Sequence, residues 1–124
     1  VSDILIPTKF AGISDMAARG RREGLWFAKT TSYYAIVIDG RVVGFCGILW
    51  RAEYATLKNV YIKPEFRMAG YGTMAFTARI QIVKATGRKA VRGLAIPASQ
   101  KIYANLGFRA IGKTSNGIWM ELSL

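Results

Sequence analysis

Histidine is absent from this 124-residue chain, and cysteine occurs once, at Cys46. The first absence removes the commonest general base, the serine–histidine pair and histidine metal sites. The second makes an internal disulfide impossible and excludes cysteine-rich zinc motifs. Carboxylates are scarce as well, the full set being Asp3, Asp15, Glu23, Asp39, Glu53, Glu65 and Glu121. They are too scattered for a carboxylate metal site or a glycosidase pair, so no metal is expected. No apolar stretch approaches the ~18–20 residues of a membrane-spanning helix. The longest, from Val42 to Trp50, holds two glycines and reads as a strand. No basic region followed by an apolar block and a small-residue cleavage site marks the N-terminus for secretion, so the cytoplasm is the expected compartment, without a membrane partner.

What is present favours one compact domain over residues 1–124. Apolar residues make up 52% of the chain and charged residues 20%, enough to bury a single core and too little length for two. Eighteen Lys and Arg against seven Asp and Glu give a net charge of +11, which attracts an acidic partner such as nucleic acid, anionic lipid or a phosphorylated ligand. Between Glu65 and Glu121 there is no acidic residue, while Arg67, Arg79, Lys84, Arg88, Lys89, Arg92, Lys101, Arg109 and Lys113 all fall there. These cations read equally as solvated helix and loop faces or as the attraction for a polyanion.

Glycine punctuates the chain. Asp3 to Ile6 suits a short strand, and Ser14 or Asp15 suits the cap of a helix running to about Glu23, with Gly24 as its stop. Tyr33 to Ile38, Asp39-Gly40 and Arg41 to Trp50 form the Asp-Gly hairpin pattern, because both central positions of a type I′ turn need positive φ. Thr56 to Ile62 reads as a strand ended by Pro64. From Tyr71 to about Ala85 the apolar set Met74, Ala75, Ala78, Ile82 and Val83 recurs at helical spacing, with Gly87 as the stop. A strand over Ala90 to Ile96, a short helix over Ala98 to Asn105 closed by Gly107, and two strands flanking the Thr114 to Gly117 turn complete the pattern. The sum is a mixed α/β (α+β) domain.

The segment richest in chemistry runs from Val60 to Gly72, a strand that passes through a tight loop into a helix start. Glycines let backbone approach a ligand closely, and the first amides of a helix, lacking an internal acceptor, point at an anion with the positive end of the helix dipole. Phosphate suits such a cradle. An Arg-x-x-Gly-x-Gly string is also compatible with a plain strand-to-helix turn.

Arg67, Gly70 and Gly72 in this context, followed by Ser99-Gln100-Lys101-Ile102-Tyr103-Ala104-Asn105-Leu106-Gly107-Phe108, resemble the GNAT superfamily of acyl-CoA-dependent N-acyltransferases. That family pairs a Gln/Arg-x-x-Gly-x-Gly/Ala loop with a later Tyr-x-x-x-Gly-Phe ending. The likeness covers about three quarters of the chain, from Tyr33 to Leu124. It implies a twisted, mostly antiparallel sheet flanked by helices, and acetyl-CoA as cosubstrate. It further implies that amides of Met68, Ala69, Gly70, Tyr71, Gly72 and Thr73, with Arg67, grip the pyrophosphate. The backbone of Val60, Tyr61 and Ile62 would pair with the pantetheine arm, and an amide near Val60 or Tyr61 would stabilise the oxyanion when an amine attacks the thioester directly.

By the same resemblance Tyr103 protonates the departing thiolate. A phenol of pKa about 10 can donate to a thiolate whose acid is near 8.5, although an aromatic at this helical position also suits simple packing. The sequence departs from the family on the amine side: Thr56 and Lys58 stand where a Glu or His often serves as base, leaving Glu53 as the nearest carboxylate. Without a base, an α-amino acceptor of pKa about 8 needs less help than a lysine near 10. Ile96 stands where the family often has an Asn, so that cofactor contact is either missing or supplied by Ser99. Cys46 reads as buried; Trp26, Phe27, Trp50 and Trp119 read as core or as lining of an acceptor groove. The Arg19 to Arg22 cluster reads as an exposed helix face bordering the acceptor side. The family commonly forms homodimers. The alternative function is a non-catalytic nucleic-acid-binding module on the same fold, or an acyltransferase whose acceptor is acidic or nucleic-acid-associated; the chain shows no helix-turn-helix, zinc-finger or ribonucleoprotein signature.

Overall fold

The computed structural model describes residues 3–25, 27 and 30–124. Strand β1 spans Leu5–Thr8, helix α1 Ser14–Arg22, β2 Ser32–Ile38, β3 Arg41–Trp50, β4 Tyr54–Ile62, helix α2 Tyr71–Ala85, β5 Ala90–Ala95, helix α3 Gln100–Asn105, β6 Arg109–Thr114 and β7 Gly117–Ser123. The described strands form one seven-stranded sheet in the order β1-β2-β3-β4-β5-β7-β6. Every neighbouring pair is antiparallel except β4 and β5. This is the mixed, mostly antiparallel sheet that the sequence implies. No described helix is long and apolar enough to cross a membrane.

The hairpin turn forms as expected, with Asp39 at φ 50° and Gly40 at φ 78°, the backbone that matches strand twist and excludes most side chains. β1 lies two residues later than its expected position. Its register is set by pairing Leu5 with Ile36 and Thr8 with Tyr33, and Pro7 is tolerated because β1 is an edge strand. α1 starts at Ser14, but no side chain caps it. The Ser14 hydroxyl instead donates 3.1 Å to the carbonyl of Ala11, within a 3-10 turn over Phe10–Ile13. β4 begins at Tyr54, because a tight turn joins it to β3 through the Arg51 amide and Tyr54 carbonyl.

Helices cover both faces of the sheet. Successive residues of a strand face opposite sides, and on β3 Phe45 packs with Met16 and Ala17 of α1, whereas Cys46 packs with Ala75 of α2. The α2 boundaries match the sequence pattern, and its buried face does so in part: Ala75 and Val83 are buried, Ala78 and Ile82 are half-buried against the core, and only Met74 of that set is exposed. Phe76, Arg79 and Ile80 also turn inward. Trp26 lies outside the described residues; Phe27 stacks on Phe45 with ring centroids 5.3 Å apart. Trp50 is half-buried beneath the Arg88 guanidinium.

Phe76 joins Ile48, Leu57, Val91 and Phe108 in the main core. Phe76→Ala is therefore expected to cost about 3–5 kcal/mol in urea unfolding, and Met74→Ala less than about 0.5 kcal/mol. Equal losses would contradict this assignment of the buried face.

Candidate active site

The site begins with two strands that part company. β4 and β5 pair only at Tyr54–Ala90, Ala55–Val91 and Thr56–Arg92. Beyond Thr56, β4 continues against β3 as far as Ile62, and β5 continues against β7 as far as Ala95. Each strand keeps one partner and loses the other, so the edge of β4 facing β5 carries unpaired peptide groups. A cleft of about 430 Å³ opens there, lined by Leu57, Asn59 and Val60 of β4, Phe76 and Arg79 of α2, and Tyr103 of α3.

Asn59 marks a β-bulge. Cys46 pairs with Val60 and Gly47 with Lys58, which leaves Asn59 as the extra residue. The bulge is held by Arg79, whose side chain is 2% exposed. Its Nη1 donates to the Gly47 carbonyl at 3.0 Å and to the Lys58 carbonyl at 2.7 Å. Among the described residues no carboxylate pairs with this guanidinium. Burial works against its charge, and the two carbonyl oxygens supply the solvation that water would otherwise give. Cys46 is fully buried and burial pushes its thiol up, so it is an inert packing residue.

Past β4 the chain forms the cradle. Met68 at φ 66° and Gly70 at φ 81° turn the backbone into left-handed conformations just before α2, an arrangement that gathers successive amides into an anion-binding concavity. The amides of Met68, Ala69 and Gly70 meet no backbone acceptor among the described residues, and those of Tyr71, Gly72 and Thr73 open the first turn of α2. A side chain added at Gly70 would meet open space, and one at Gly72 only Val60 Cγ1 at 4.0 Å. The cradle thus has room for an anionic guest. Arg67 does something different from what its motif position implies. Its Nε donates to the Ile62 carbonyl at 2.8 Å, its Nη2 to both carboxylate oxygens of Glu23 at 2.7 and 3.0 Å, and its guanidinium lies over Tyr61. The side chain pins the loop to the end of β4 and to α1.

Val60 faces the cleft, whereas the Tyr61 ring is buried among Phe45 and Met16 on the other side of the sheet. Ile62 lends its carbonyl to Arg67. Tyr71 packs its side chain toward Ala75 and contributes only backbone. Ser99 lines the cleft, its hydroxyl turned to the Ile96 carbonyl at 3.2 Å. Asn59 Oδ1 is buried and meets no donor among the described residues, an acceptor suited to a ligand amide.

Tyr103 is held by packing. Its ring meets Phe76 edge-on at 4.7 Å and Phe108 at 5.0 Å, and its ring and hydroxyl fill the space that a side chain at Gly93 would need. Burial raises its phenol above the usual value of 10.0, and the Arg79 charge pulls the other way. The group is thus a protonated hydroxyl facing the cleft throughout the neutral range. Glu53 is placed elsewhere: it sits exposed in the β3–β4 turn, paired with Lys89 at 2.9 Å, and does not line the cleft. Among the described residues no Asp or Glu lines it.

Sequence reasoning missed Asn59 and Arg79. The signal for the first was two consecutive polar residues, Lys58 and Asn59, inside an alternating strand. For the second it was a cation four residues beyond Ala75 on the apolar face.

Comparison with known proteins bears on the family and the fold. The sequence model described as the acetyltransferase (GNAT) family matches residues 4–108. The chain belongs to the GNAT family. It is 29% identical over 90 residues to a Bacillus subtilis (strain 168) protein provisionally named a ribosomal protein bS18-alanine N-acetyltransferase, covering 68% of this chain and 58% of that relative. The chain thus spans less than two thirds of that GNAT relative's length. Among solved structures, the PaiA N-acetyltransferase of Thermoplasma acidophilum in complex with coenzyme A superposes with a TM-score of 0.65 at 18% identity, over 92% of this chain and 70% of that one. The IAA acetyltransferase of Bacillus cereus ATCC 14579 superposes with a TM-score of 0.75 at 14% identity, over 98% and 99%. At these identities the likeness is one of fold.

Gly93→Ala would drive a methyl group into the Tyr103 ring and hydroxyl. The substitution is expected to cost about 1–3 kcal/mol in urea unfolding and to shift the aromatic resonances of Tyr103. Wild-type stability would contradict this placement of the ring.

Proposed function

We propose that this protein is an N-acetyltransferase that moves an acetyl group from acetyl-CoA to an amine. The observation that carries the reading is the meeting, at one opening in the sheet, of an amide cradle, an unpaired strand edge and the Tyr103 hydroxyl. When bound, acetyl-CoA supplies the thioester that the amine attacks. The amides of Met68 to Thr73 hold the pyrophosphate through fixed dipoles, and Arg67 keeps that loop in place from behind. The open edge of β4 from Val60 to Ile62 receives the pantetheine arm as an added strand would be received. Amides near Val60 and Tyr61 polarise the carbonyl at no reorganisation cost. Tyr103 gives its proton to the departing thiolate, and Ser99 flanks the same arm.

Glu53 has no part in this proposal, because it is committed to Lys89 in a distant turn. With no carboxylate in the cleft, the acceptor is an amine of low pKa, whose proton leaves to water. The alternative, a non-catalytic nucleic-acid-binding module, is not favoured, because family membership and the cleft both support acyl transfer.

Tyr103→Phe is expected to lower kcat about 10²-fold or more while leaving acetyl-CoA affinity within about twofold. In the wild type, kcat should rise as the acceptor amine loses its proton and fall only above about pH 10, since burial keeps the phenol protonated longer. Undiminished turnover in the variant would remove Tyr103 from the reaction. Gly72→Glu separates the cradle from the fold, because a carboxylate in the first turn of α2 suits the helix dipole but repels a bound diphosphate. It should leave urea stability within about 1 kcal/mol of the wild type, yet weaken the acetyl-CoA-induced rise in Tm by about tenfold or more in apparent affinity. Unaltered affinity would show that the guest lies elsewhere.

A further inference from the structure

A second concavity, of about 520 Å³, lies on the other face of the sheet. Leu57 packs toward α2, so its neighbours Thr56 and Lys58 face the opposite side, where they line this groove with Arg51, Tyr54, Arg92 and Trp119. Lys58 lines the cleft as well, so the two hollows meet where β4 and β5 diverge. An acceptor lying in the groove would reach a thioester held in the cleft through that gap.

The charges in the groove are unbalanced. Arg92 is already answered, because its Nε donates to Glu121 at 2.9 Å and its guanidinium stacks 3.9 Å above the Tyr54 ring. Glu121 is shared with Arg109 at 3.3 Å, and these contacts hold its carboxyl below the usual range. Arg51 and Lys58 have no carboxylate partner among the described residues, and Lys58 is half-buried at the junction. Two uncompensated cations beside the Trp119 side chain favour an anionic, partly apolar occupant. The same cations oppose an ammonium and so favour the neutral form of an incoming amine, which supplies part of what a missing base would do.

We propose that this groove is the acceptor site and that the acceptor is an α-amine carried on a carboxylate-bearing chain, its carboxylates held by Lys58 and Arg51 and its amine delivered through the gap between β4 and β5. The proposal rests on the N-acetyltransferase reading. The amine attacks in its neutral form, its ammonium proton having passed to water. The nitrogen forms the new bond to the acetyl carbon as the carbon–sulfur bond breaks, Tyr103 protonates the sulfur, and the second proton shed by the nitrogen returns through water to the Tyr103 oxygen.

The test uses three C-terminally amidated peptides that share an α-amino group and differ in charge: Ala-Glu-Glu-Phe, Ala-Gln-Gln-Phe and Ala-Lys-Lys-Phe. Thiol release should give kcat/KM roughly tenfold higher for the acidic peptide than for the neutral one, with the basic peptide poorest. Lys58→Gln and Arg51→Gln should each narrow that preference through KM more than kcat. Calorimetry without acetyl-CoA should show the acidic peptide binding in a salt-dependent manner that Lys58→Glu abolishes. Equal use of the three peptides, preference for the basic one, or indiscriminate inhibition by a short single-stranded DNA would overturn the acceptor assignment and leave the enzyme reading standing. Salt-dependent binding of the acidic peptide in a protein whose Tm acetyl-CoA does not move would instead uphold the groove and discard the enzyme reading.

Discussion

The structure depends on keeping two neighbouring strands apart. A sheet gains by pairing every edge, and β4 and β5 start side by side over Tyr54 to Thr56, so something must stop them from zipping further. Two features do so. The Asn59 bulge twists β4 away from the line it would need, and the Arg79 fork ties the two carbonyls flanking that bulge to α2. A buried guanidinium bonded to main-chain oxygens is costly to desolvate and costly to strand. Once in place it therefore favours one arrangement of the bulge strongly over others.

The rest of the site is built outward from that opening. α2 begins with the cradle and carries Arg79 two turns later, so the loop with the cradle amides and the cation that shapes the strand edge are joined by one helix. Phe76, on the same helix, forms an edge-to-face triangle with Tyr103 and Phe108, which links α3 to α2 through aromatic contacts worth about 0.5–1.5 kcal/mol each beyond their buried area. Gly93 on β5 completes the seat of the Tyr103 ring. Cradle, strand edge and hydroxyl thus share one framework, the preorganisation that acyl transfer without a covalent enzyme intermediate requires.

Much of this was legible from local chemistry. The Asp39-Gly40 turn, the limits of α2 and the strand-to-helix loop each rest on residues whose backbone preferences act over a few positions. The short helix closed by Gly107 was legible for a related reason, but the triangle that Tyr103 forms with Phe76 and Phe108 was not. What escaped was set by partners distant in sequence. β1 takes its register from β2, Glu53 is claimed by Lys89, and Arg67 is turned away from its motif role by Glu23. Arg79 was hidden because a cation reads as surface until the carbonyls it satisfies are known, and those belong to two other strands.

One ligand is expected to engage the loop and the divergent strand together. The most direct measurement is a titration of ¹⁵N-labelled protein with acetyl-CoA, followed amide by amide. The largest shifts are expected at Met68 to Thr73 and at Leu57 to Val60, saturating with a single affinity, while the amides of the β2–β3 turn at Asp39 and Gly40 stay fixed. Shifts confined to other surfaces, or none at millimolar ligand, would contradict the claim that the gap between β4 and β5 is the cosubstrate's site.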